Sequence, residues 1–364
     1  EYVDALVADL EASLPDVWGR PLHTIFLGGG TPSLFAPESI ERLITAVGTR
    51  MKVDPGTEIT MEANPGTFEA ERFRGFRAAG VNRLSVGIQT FDDAKLAAIG
   101  RVHGADEARR ALDAALVIFP RVNTDLMYAL PGQVLGEALA DVREAVSRGA
   151  THVSAYHLTL EPDTHFARFP PTLPAHDEAA DMQEAIEAEL ASSGFEHYET
   201  SAFAKPGERA LHNLNYWTFG DYLGLGAGAH GKISLRERVM RTERTRKPAT
   251  YMREALAGEA ARNVRDVDER DLPFEFMLNA LRLVDGFPVT LFAERTGLDI
   301  LSIEPQLRQA EAAGFIERDA MRVKPTRRGE RFLNDLLAIF LPGESAPRRT
   351  IRISTCSPGT IRPS

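Results

Sequence analysis

The chain has 364 residues and a formal net charge of -10, with 43% hydrophobic and 26% charged residues. These values are typical of a globular protein with more than one domain, and the acidic excess disfavours general binding to nucleic acid or to anionic membranes. No apolar run approaches the ~18 residues of a membrane span, so we expect no stable membrane insertion and a cytoplasmic location.

The sequence contains one cysteine, Cys356. A single thiol excludes an internal disulfide and a cysteine-only metal site built from these residues. The chain begins at Glu1, without a methionine and inside an amphipathic pattern, so we expect it to be a fragment of a longer protein.

Five apolar or β-branched segments alternate with amphipathic segments in the first half of the chain. Helical spacing of apolar residues predicts helices between them, one beginning at a Thr67 cap and carrying Phe73 and Phe76. This alternation predicts right-handed βαβ units and a parallel sheet, either open or curled towards a barrel. The predicted strands are 24–27, 58–63, 83–89, 122–128 and 152–158.

The first predicted strand runs into a glycine-rich loop, Gly28 to Gly30, followed by Thr31 and Pro32. Glycine accepts positive φ and lacks a Cβ, so the backbone N–H and C=O groups of such a loop can lie against a small ligand. A sharp strand-to-helix turn explains the same residues without a ligand, and a barrel enzyme would use such a loop for a phosphate.

Polar residues recur where the other strands end. Each has a structural alternative, such as an ion pair for Glu62 or a turn cap for Gln89. Because the carboxyl ends of parallel strands meet at one edge of the sheet, these residues together predict a polar pocket beside the glycine loop. They are Glu62, Asn64, Gln89, Asp125, Tyr156 and His157.

The pattern changes near residue 199. A glycine- and aromatic-rich segment, 205–232, and a basic stretch, 236–247, fall in a predicted connecting region at 199–267, after a main domain at 1–198. Residues 268–341 predict helices, a β-wing at 315–329 and a closing helix at 331–340, which is the order of a winged-helix module. Packing against the main domain is favoured over DNA binding, because no basic recognition helix is evident. The composition of 342–364 predicts a disordered tail.

Eight motifs follow one another along the chain: FLGGGTPSL, MEANPGT, GVNRLSVGIQTF, IGRVHG, NTDLMYALPGQ, SAYHLTLEPDT, YETSAFAKPG and HNLNYWTFGDYLGLGAGAHGK. Their sequences and their order resemble those of radical S-adenosylmethionine proteins related to oxygen-independent coproporphyrinogen III oxidase. The resemblance covers residues 1–341, and the HNLNYW box is similar to that of the heme-chaperone branch. It implies an α/β fold: a partial (β/α)6 barrel lacking its first strand, followed by a winged-helix-like C-terminal domain.

The resemblance also implies a site for S-adenosylmethionine. A guanidinium fork such as that of Arg101 is well shaped for the carboxylate of the methionine moiety. The remaining implied contacts are Gly28, Gly29, Gly30 and Thr31 for the methionine moiety, Gln89 and Asp125 for the ribose, Glu62 for the ribose or amino group, and the backbone near Ala155 for the adenine.

The HNxxYW box of the family falls on His212, Asn213, Tyr216 and Trp217 and implies a heme site. His212 and Tyr216 are four residues apart, so on a helix they would share a face. Either can ligate ferric iron, and Trp217 can stack on the porphyrin. Without the resemblance, these residues are interpreted as a domain-docking segment with buried aromatic residues. The glycines at 220–231 either let backbone approach a macrocycle or make tight turns.

The radical chemistry of this family depends on a CxxxCxxC motif that holds a [4Fe-4S] cluster. The present sequence lacks the motif, and Cys356 lies in the unmatched tail, so we expect that truncation or a misassigned start removed it. We therefore expect these residues not to catalyse radical chemistry.

Two functions are implied. A heme chaperone binds heme and delivers it to heme proteins of the respiratory chain. An oxygen-independent coproporphyrinogen III oxidase instead decarboxylates propionate side chains through a 5′-deoxyadenosyl radical. The HNLNYW box favours the chaperone.

Overall fold

The computed structural model describes residues 1–66, 69–160, 165–258 and 262–342. The predicted Thr67 cap, Cys356 and the predicted tail from residue 343 onwards lie outside these ranges. Within them, none of the helices combines the length and the apolar character that crossing a membrane requires.

Five parallel strands form the main sheet and lie side by side in chain order. The parallel strands are β1 (Pro21–Leu27), β2 (Lys52–Ala63), β3 (Arg83–Gln89), β4 (Arg121–Tyr128) and β5 (His152–His157). All five predicted strands are confirmed, although β1 and β2 begin earlier than expected. An antiparallel hairpin that was not predicted, β6 (Glu196–Glu199) and β7 (Ala202–Ala204), extends the sheet beyond β5.

Helices accompany these strands, as the alternating pattern predicted. Apolar residues of the helices and of the sheet share one hydrophobic core, in which Phe73 and Phe76 are almost fully buried. A short 3-10 turn, Pro32–Leu34, follows the glycine loop. The helices are α1 (Tyr2–Val17), α2 (Pro37–Gly48), α3 (Glu69–Ala78), α4 (Asp93–Ala98), α5 (Ala105–Ile118), α6 (Leu135–Ser147), α7 (His165–Arg168) and α8 (His176–Ser192).

Alternate side chains of a strand face opposite sides of the sheet, and the central strands use this period of two to separate apolar from polar residues. The inner face is therefore polar, and the outer face packs on the helices. The outward residues of β3, β4 and β5 include Leu84, Val86, Ile88, Val122, Leu126, Val153 and Ala155. The inward ones are Arg83, Ser85, Gly87, Gln89, Asn123, Asp125, Met127, His152, Ser154 and Tyr156.

The chain beyond β7 forms α9 and two smaller sheets, and the predicted winged-helix-like arrangement after residue 268 is confirmed. The predicted closing helix at 331–340 is shorter than expected, Leu333–Ala338, and a separate short helix, Arg327–Arg331, precedes it, because the backbone at Phe332 (φ -107°, ψ 42°) leaves the helical region. One of these sheets has three antiparallel strands between residues 230 and 266, with one helix between its second and third strands in the chain. The other has three antiparallel strands between residues 287 and 325, with two helices between its first and second strands in the chain. The elements are α9 (Leu211–Trp217), β8 (His230–Ser234), β9 (Val239–Arg244), α10 (Pro248–Leu256), β10 (Arg262–Asp266), α11 (Leu272–Ala280), β11 (Phe287–Pro288), α12 (Val289–Thr296), α13 (Glu304–Ala312), β12 (Ile316–Arg318), β13 (Arg322–Pro325), α14 (Arg327–Arg331) and α15 (Leu333–Ala338).

A buried ion pair joins α1 to β9. Arg244 Nε lies 2.9 Å from Asp9 Oδ2, and the two side chains are 0% and 5% exposed. Ser13 accepts a further hydrogen bond from Arg244, and the Tyr251 hydroxyl donates to Asp9. Because both charges are removed from water, each depends on the other for compensation.

We expect Asp9→Ala to lower the free energy of unfolding by about 3–5 kcal/mol, because it leaves the Arg244 guanidinium buried without its carboxylate. Urea unfolding followed by circular dichroism measures this loss. Asp266→Ala removes the partner of Arg238 in a pair whose side chains are 51% and 53% exposed, and serves as the control with a far smaller effect. If both variants lost the same free energy of unfolding, burial of the Asp9–Arg244 pair would not explain its effect on stability.

Candidate functional site

The inner face of the parallel sheet and α9 enclose a cavity of about 520 Å³. It extends from the carboxyl ends of the strands, at Gln89, to their amino ends, where Arg83 and His152 are the first residues of β3 and β5. Predicted site residues from both implied ligand sites therefore line one cavity. They are Gly30, Thr31, Glu62, Gln89, Arg101, Asp125, His212 and Tyr216.

Glu62 holds the glycine loop against the end of β2. The N–H of Gly29 donates to Glu62 Oε2 at 3.0 Å, and Gly29 and Gly30 have φ of 82° and 61°. A Cβ on Gly28 would lie 2.1 Å from the Phe26 ring, so a side chain at that position would displace this ring from the loop. Because this N–H group already faces a carboxylate, the loop is unfavourable for a phosphate.

Gln89 adopts an uncommon backbone conformation at the carboxyl end of β3. Its φ is 70°, and the pairing of β3 with β4 is irregular between Val86 and Gln89. A Cβ on Gly87 would lie 2.9 Å from both Asn64 Oδ1 and Gln89 Nε2, so glycine leaves room for these two side chains. Arg101 Nη1 donates to the same Asn64 oxygen at 3.3 Å. Backbone conformations like that of Gln89, with positive φ at a residue other than glycine, are frequent where a ligand is bound.

The residues of the fifth strand agree only in part with the predicted pocket. The side chains of Ser154 and Tyr156 line the cavity on either side of Ala155, whose own side chain belongs to the outer core. The N–H of Ala155 donates to the Ser201 carbonyl oxygen at 2.8 Å. His157 was predicted to share the pocket, but it is exposed and its ring packs edge-on against Tyr128.

Asp125 lies within the cavity wall and accepts hydrogen bonds from two neutral side chains. Ser85 Oγ donates to Asp125 Oδ2, and Asn123 Nδ2 donates to Oδ1, each at 2.8 Å. Burial raises the pKa of Asp125 to about 6, and the nearby charge of Glu62 adds to this effect. The carboxylate is therefore ionised at neutral pH but close to titration.

A chain of buried side chains continues from Asp125 to α9. His152 Nδ1 lies 2.5 Å from Asn123 Oδ1, and His152 Nε2 lies 2.8 Å from the Tyr198 hydroxyl. That hydroxyl accepts from Asn213 Nδ2 at 3.2 Å. Burial holds the pKa of His152 well below its ordinary value, with positive charges such as that of Arg83 adding to the effect. His152 and Ser154 were not among the predicted site residues, although the alternation of polar residues in 152–157 points to them.

Glu58 fixes the position of α9. This carboxylate, 1% exposed, accepts from the backbone N–H groups of Leu211 and His212 at 3.0 and 3.3 Å, and from His212 Nδ1 at 3.1 Å. Arg121 donates to its other oxygen at 3.1 Å. Burial acts to raise the pKa of Glu58, but the hydrogen bonds from His212 and the charge of Arg83 outweigh it, so that pKa lies below its ordinary value.

His212 and Tyr216 share the cavity side of α9, as their spacing predicted. The His212 ring packs on Phe26 with 4.5 Å between ring centroids, and Tyr216 packs edge-on against Tyr222. Trp217 instead lies under the guanidinium of Arg282, 5.0 Å from its ring centroid. The expected stacking of Trp217 on a porphyrin is therefore wrong for this structure, and the domain-docking interpretation applies to this residue.

The glycines after α9 are required by contacts within the protein. A Cβ on Gly224 would lie 1.9 Å from the His230 carbonyl oxygen, and one on Gly220 would lie 2.1 Å from Asn215 Oδ1. Close approach of backbone to a macrocycle is not needed to explain them.

Thiolate ligands for a [4Fe-4S] cluster are not supplied by these 364 residues, which contain one cysteine. Among the described residues, no group of three or more His, Cys, Asp or Glu side chains is arranged to hold a metal ion. The donor set therefore does not fit the cluster.

Comparison with known families gives two matches. The model of the radical SAM superfamily matches residues 6–145, and that of the HemN C-terminal domain matches residues 267–332. The heme chaperone HemW of Escherichia coli strain K12 is 45% identical over 94% of this chain and 90% of its own length. The heme chaperone HemW of Bacillus subtilis strain 168 is 33% identical over 94% and 91%. A mouse protein, mitochondrial radical S-adenosyl methionine domain-containing protein 1, is 35% identical over 88% and 76%.

A solved structure shares the fold. Coproporphyrinogen III oxidase (HemN) from Escherichia coli, a radical SAM enzyme, superposes with a TM-score of 0.77 and covers 93% of this chain and 82% of its own. The expected partial barrel with a C-terminal domain is therefore confirmed. At 20% identity, this likeness establishes the fold alone.

Because Glu58 joins α9 to the sheet, we expect Glu58→Ala to lower the free energy of unfolding by about 3–5 kcal/mol, since it leaves the fully buried guanidinium of Arg83 without the carboxylate charge that stabilises it. Thermal and urea unfolding measure the change. Glu208→Ala is the matched control, because it removes the second carboxylate of Arg121, at 3.4 Å, and leaves Glu58 in place. If Glu208→Ala destabilised the protein as much as Glu58→Ala does, the buried carboxylate of Glu58 would not be the contact that holds α9 on the sheet.

Proposed function

Because the chain belongs to the heme chaperone HemW family of the radical S-adenosylmethionine superfamily, we propose that it binds heme on α9 and passes it to heme proteins of the respiratory chain. We also propose that S-adenosylmethionine binds at the carboxyl ends of the strands, and that the protein acts in the cytoplasm. The observation that carries the heme proposal is the orientation of His212.

His212 has the arrangement of a metal-ligating histidine. Its Nδ1 donates to the buried Glu58 carboxylate at 3.1 Å, which leaves Nε2 as the nitrogen with a free lone pair. No hydrogen bond within the described residues engages Nε2, and the side chain lines the cavity. Histidines that bind metals commonly donate their other N–H to a carboxylate, which orients the ring and increases its basicity.

Tyr216 is the weaker candidate for the iron ligand. Burial, followed by the neighbouring Tyr222 ring, raises the pKa of Tyr216. A raised pKa disfavours the phenolate that ligates ferric iron, so the geometry favours His212 and gives Tyr216 a packing role beside the ligand.

The S-adenosylmethionine proposal rests on the residues at the opposite end of the cavity. Asp125 presents a carboxylate to accept ribose hydroxyls, Arg101 provides a guanidinium for a carboxylate, and Gly30 and Thr31 leave backbone open beside Glu62. In the superfamily, this ligand supplies a radical when a reduced cluster cleaves it. Since the residues present do not fit the cluster, only binding is assigned here.

We expect His212→Ala to weaken heme binding at least about tenfold and to shift the Soret band, because it removes the proposed ligand. Titration with ferric heme, followed by absorbance, measures both changes. We expect Tyr216→Phe to bind nearly as the wild type does.

His157→Ala is the control for this titration, since that histidine lies outside the cavity. An unchanged Soret band and affinity in the double variant His212→Ala, Tyr216→Phe would rule out α9 as the source of the iron ligand.

We expect S-adenosylmethionine affinity to decrease about tenfold between pH 7 and pH 5, because protonation of Asp125 removes the acceptor for the ribose. The sign follows from its pKa of about 6: the carboxylate is ionised above that pH and neutral below it. Equilibrium dialysis across this range measures the effect, which should be absent in Asp125→Asn.

The control for the pH dependence is Asp141→Asn. Burial also raises the pKa of Asp141 to about 6, but its carboxylate accepts from the Phe91 N–H outside the cavity. This variant should keep the wild-type pH dependence of S-adenosylmethionine affinity. If Asp141→Asn lost that pH dependence, the role proposed for Asp125 would be contradicted.

A further inference from the structure

The hydrogen bonds between α9 and Asp125 all have the same direction. The Tyr198 hydroxyl accepts from Asn213 Nδ2 and from the Ala210 N–H, so its own proton is left for His152 Nε2. Neutral His152 then carries its proton on Nδ1 and donates to Asn123 Oδ1.

The same direction continues to the carboxylate. With its oxygen accepting from His152 and from Ser154 Oγ, the Asn123 amide has its NH2 group facing Asp125 Oδ1 and Ser85 Oγ. Ser85 donates in turn to Asp125 Oδ2. Reversing the Asn123 amide would point its NH2 group at a donor and its oxygen at a carboxylate. One arrangement of protons therefore satisfies the whole chain.

We propose that this hydrogen-bond chain couples the two ends of the cavity, so that a ligand hydrogen-bonded to Asp125 strengthens the binding of a ligand held by α9. Tyr198 and His152 are the positioning residues of this coupling. The inference rests on the proposed function, because the two ligands are those assigned above: S-adenosylmethionine at Asp125 and heme at His212, which precedes Asn213 on α9.

The physical reason for the coupling is shared ordering. A ribose hydroxyl that donates to Asp125 fixes the carboxylate, and through it the side chains of Asn123 and His152. The ligand that binds second then encounters a wall that is already ordered and loses less conformational entropy. Thermodynamic linkage requires the effect to be reciprocal, so heme must strengthen S-adenosylmethionine binding by the same factor.

The test is a titration of the complete chain with ferric heme, with and without saturating S-adenosylmethionine. We expect S-adenosylmethionine to lower the Kd for heme about fivefold in the wild type. In Tyr198→Phe, which removes the hydroxyl in the middle of the chain, we expect the ratio of the two Kd values to fall to about 1 while both ligands still bind.

Tyr251→Phe is the matched control. It also removes the hydroxyl of a fully buried tyrosine, but that hydroxyl donates to Asp9 and lies outside the chain. This variant should keep the wild-type ratio. If Tyr198→Phe does not fold, as judged by circular dichroism, Asn213→Ala removes the side-chain link between the chain and α9. The Ala210 N–H is then the remaining donor to Tyr198 from α9, so this variant should lower the ratio of the two Kd values.

Three results of these titrations separate the coupling from the proposed function. If both ligands bind the wild type but neither alters the affinity of the other, the coupling is overturned and the proposed function stands. A ratio that persists in both Tyr198→Phe and Asn213→Ala means that the ligands influence each other by direct contact, which also overturns the chain. Failure of the wild type to bind heme or S-adenosylmethionine overturns the proposed function and the coupling together.

Discussion

The buried carboxylate of Glu58 is the contact on which the arrangement of the cavity depends. It comes from the second strand of the sheet, yet it accepts from the first N–H groups of α9, from the His212 ring and from Arg121. A carboxylate without water requires such donors, and the start of a helix provides N–H groups that otherwise lack partners. The same contact therefore satisfies the charge, closes one side of the cavity and turns His212 towards its interior.

The polar inner face of the sheet gives the cavity its chemistry. A half-open barrel cannot fill its interior with apolar side chains and also hold a polar ligand. Successive residues of each strand are therefore apolar where they face the helices and polar where they face the cavity. On the outer face, residues such as Val86 and Val153 pack on helices, whereas Ser85 and Ser154 face the ligand space. Because the inward side chains also hydrogen-bond to each other, few buried polar atoms lack partners among the described residues that line the cavity.

Much of the fold could be predicted from the sequence, because strand and helix periods are local properties. The five parallel strands and the order of the C-terminal elements belong to this class. The hairpin of β6 and β7 was missed because it contains only four and three residues. The cavity residues at strand ends, such as Glu62 and Gln89, could be predicted because a polar residue at the end of an apolar strand is conspicuous in the sequence.

The partners of α9 could not be predicted, because they are distant in the chain. Glu58 and His212 are separated by 154 residues, and only the closure of the sheet brings them together. Trp217 illustrates the opposite error: its motif suggested a ligand contact, but the side of α9 on which it lies faces Arg282 and the C-terminal domain. A motif specifies residue types, whereas the packing of the helix decides which of them reach the cavity.

The two buried carboxylates of the cavity show how one interior supports two kinds of ligand contact. Asp125 is surrounded by neutral donors, so burial dominates and raises its pKa to about 6. Glu58 is buried as well, but cationic and backbone donors surround it and lower its pKa. Glu58 therefore stays ionised where Asp125 titrates, and it can keep the N–H of His212 polarised throughout that range. The strength of the contact at α9 and the pH sensitivity of the contact at the strand ends follow from the neighbours of each carboxylate, not from burial, which both share.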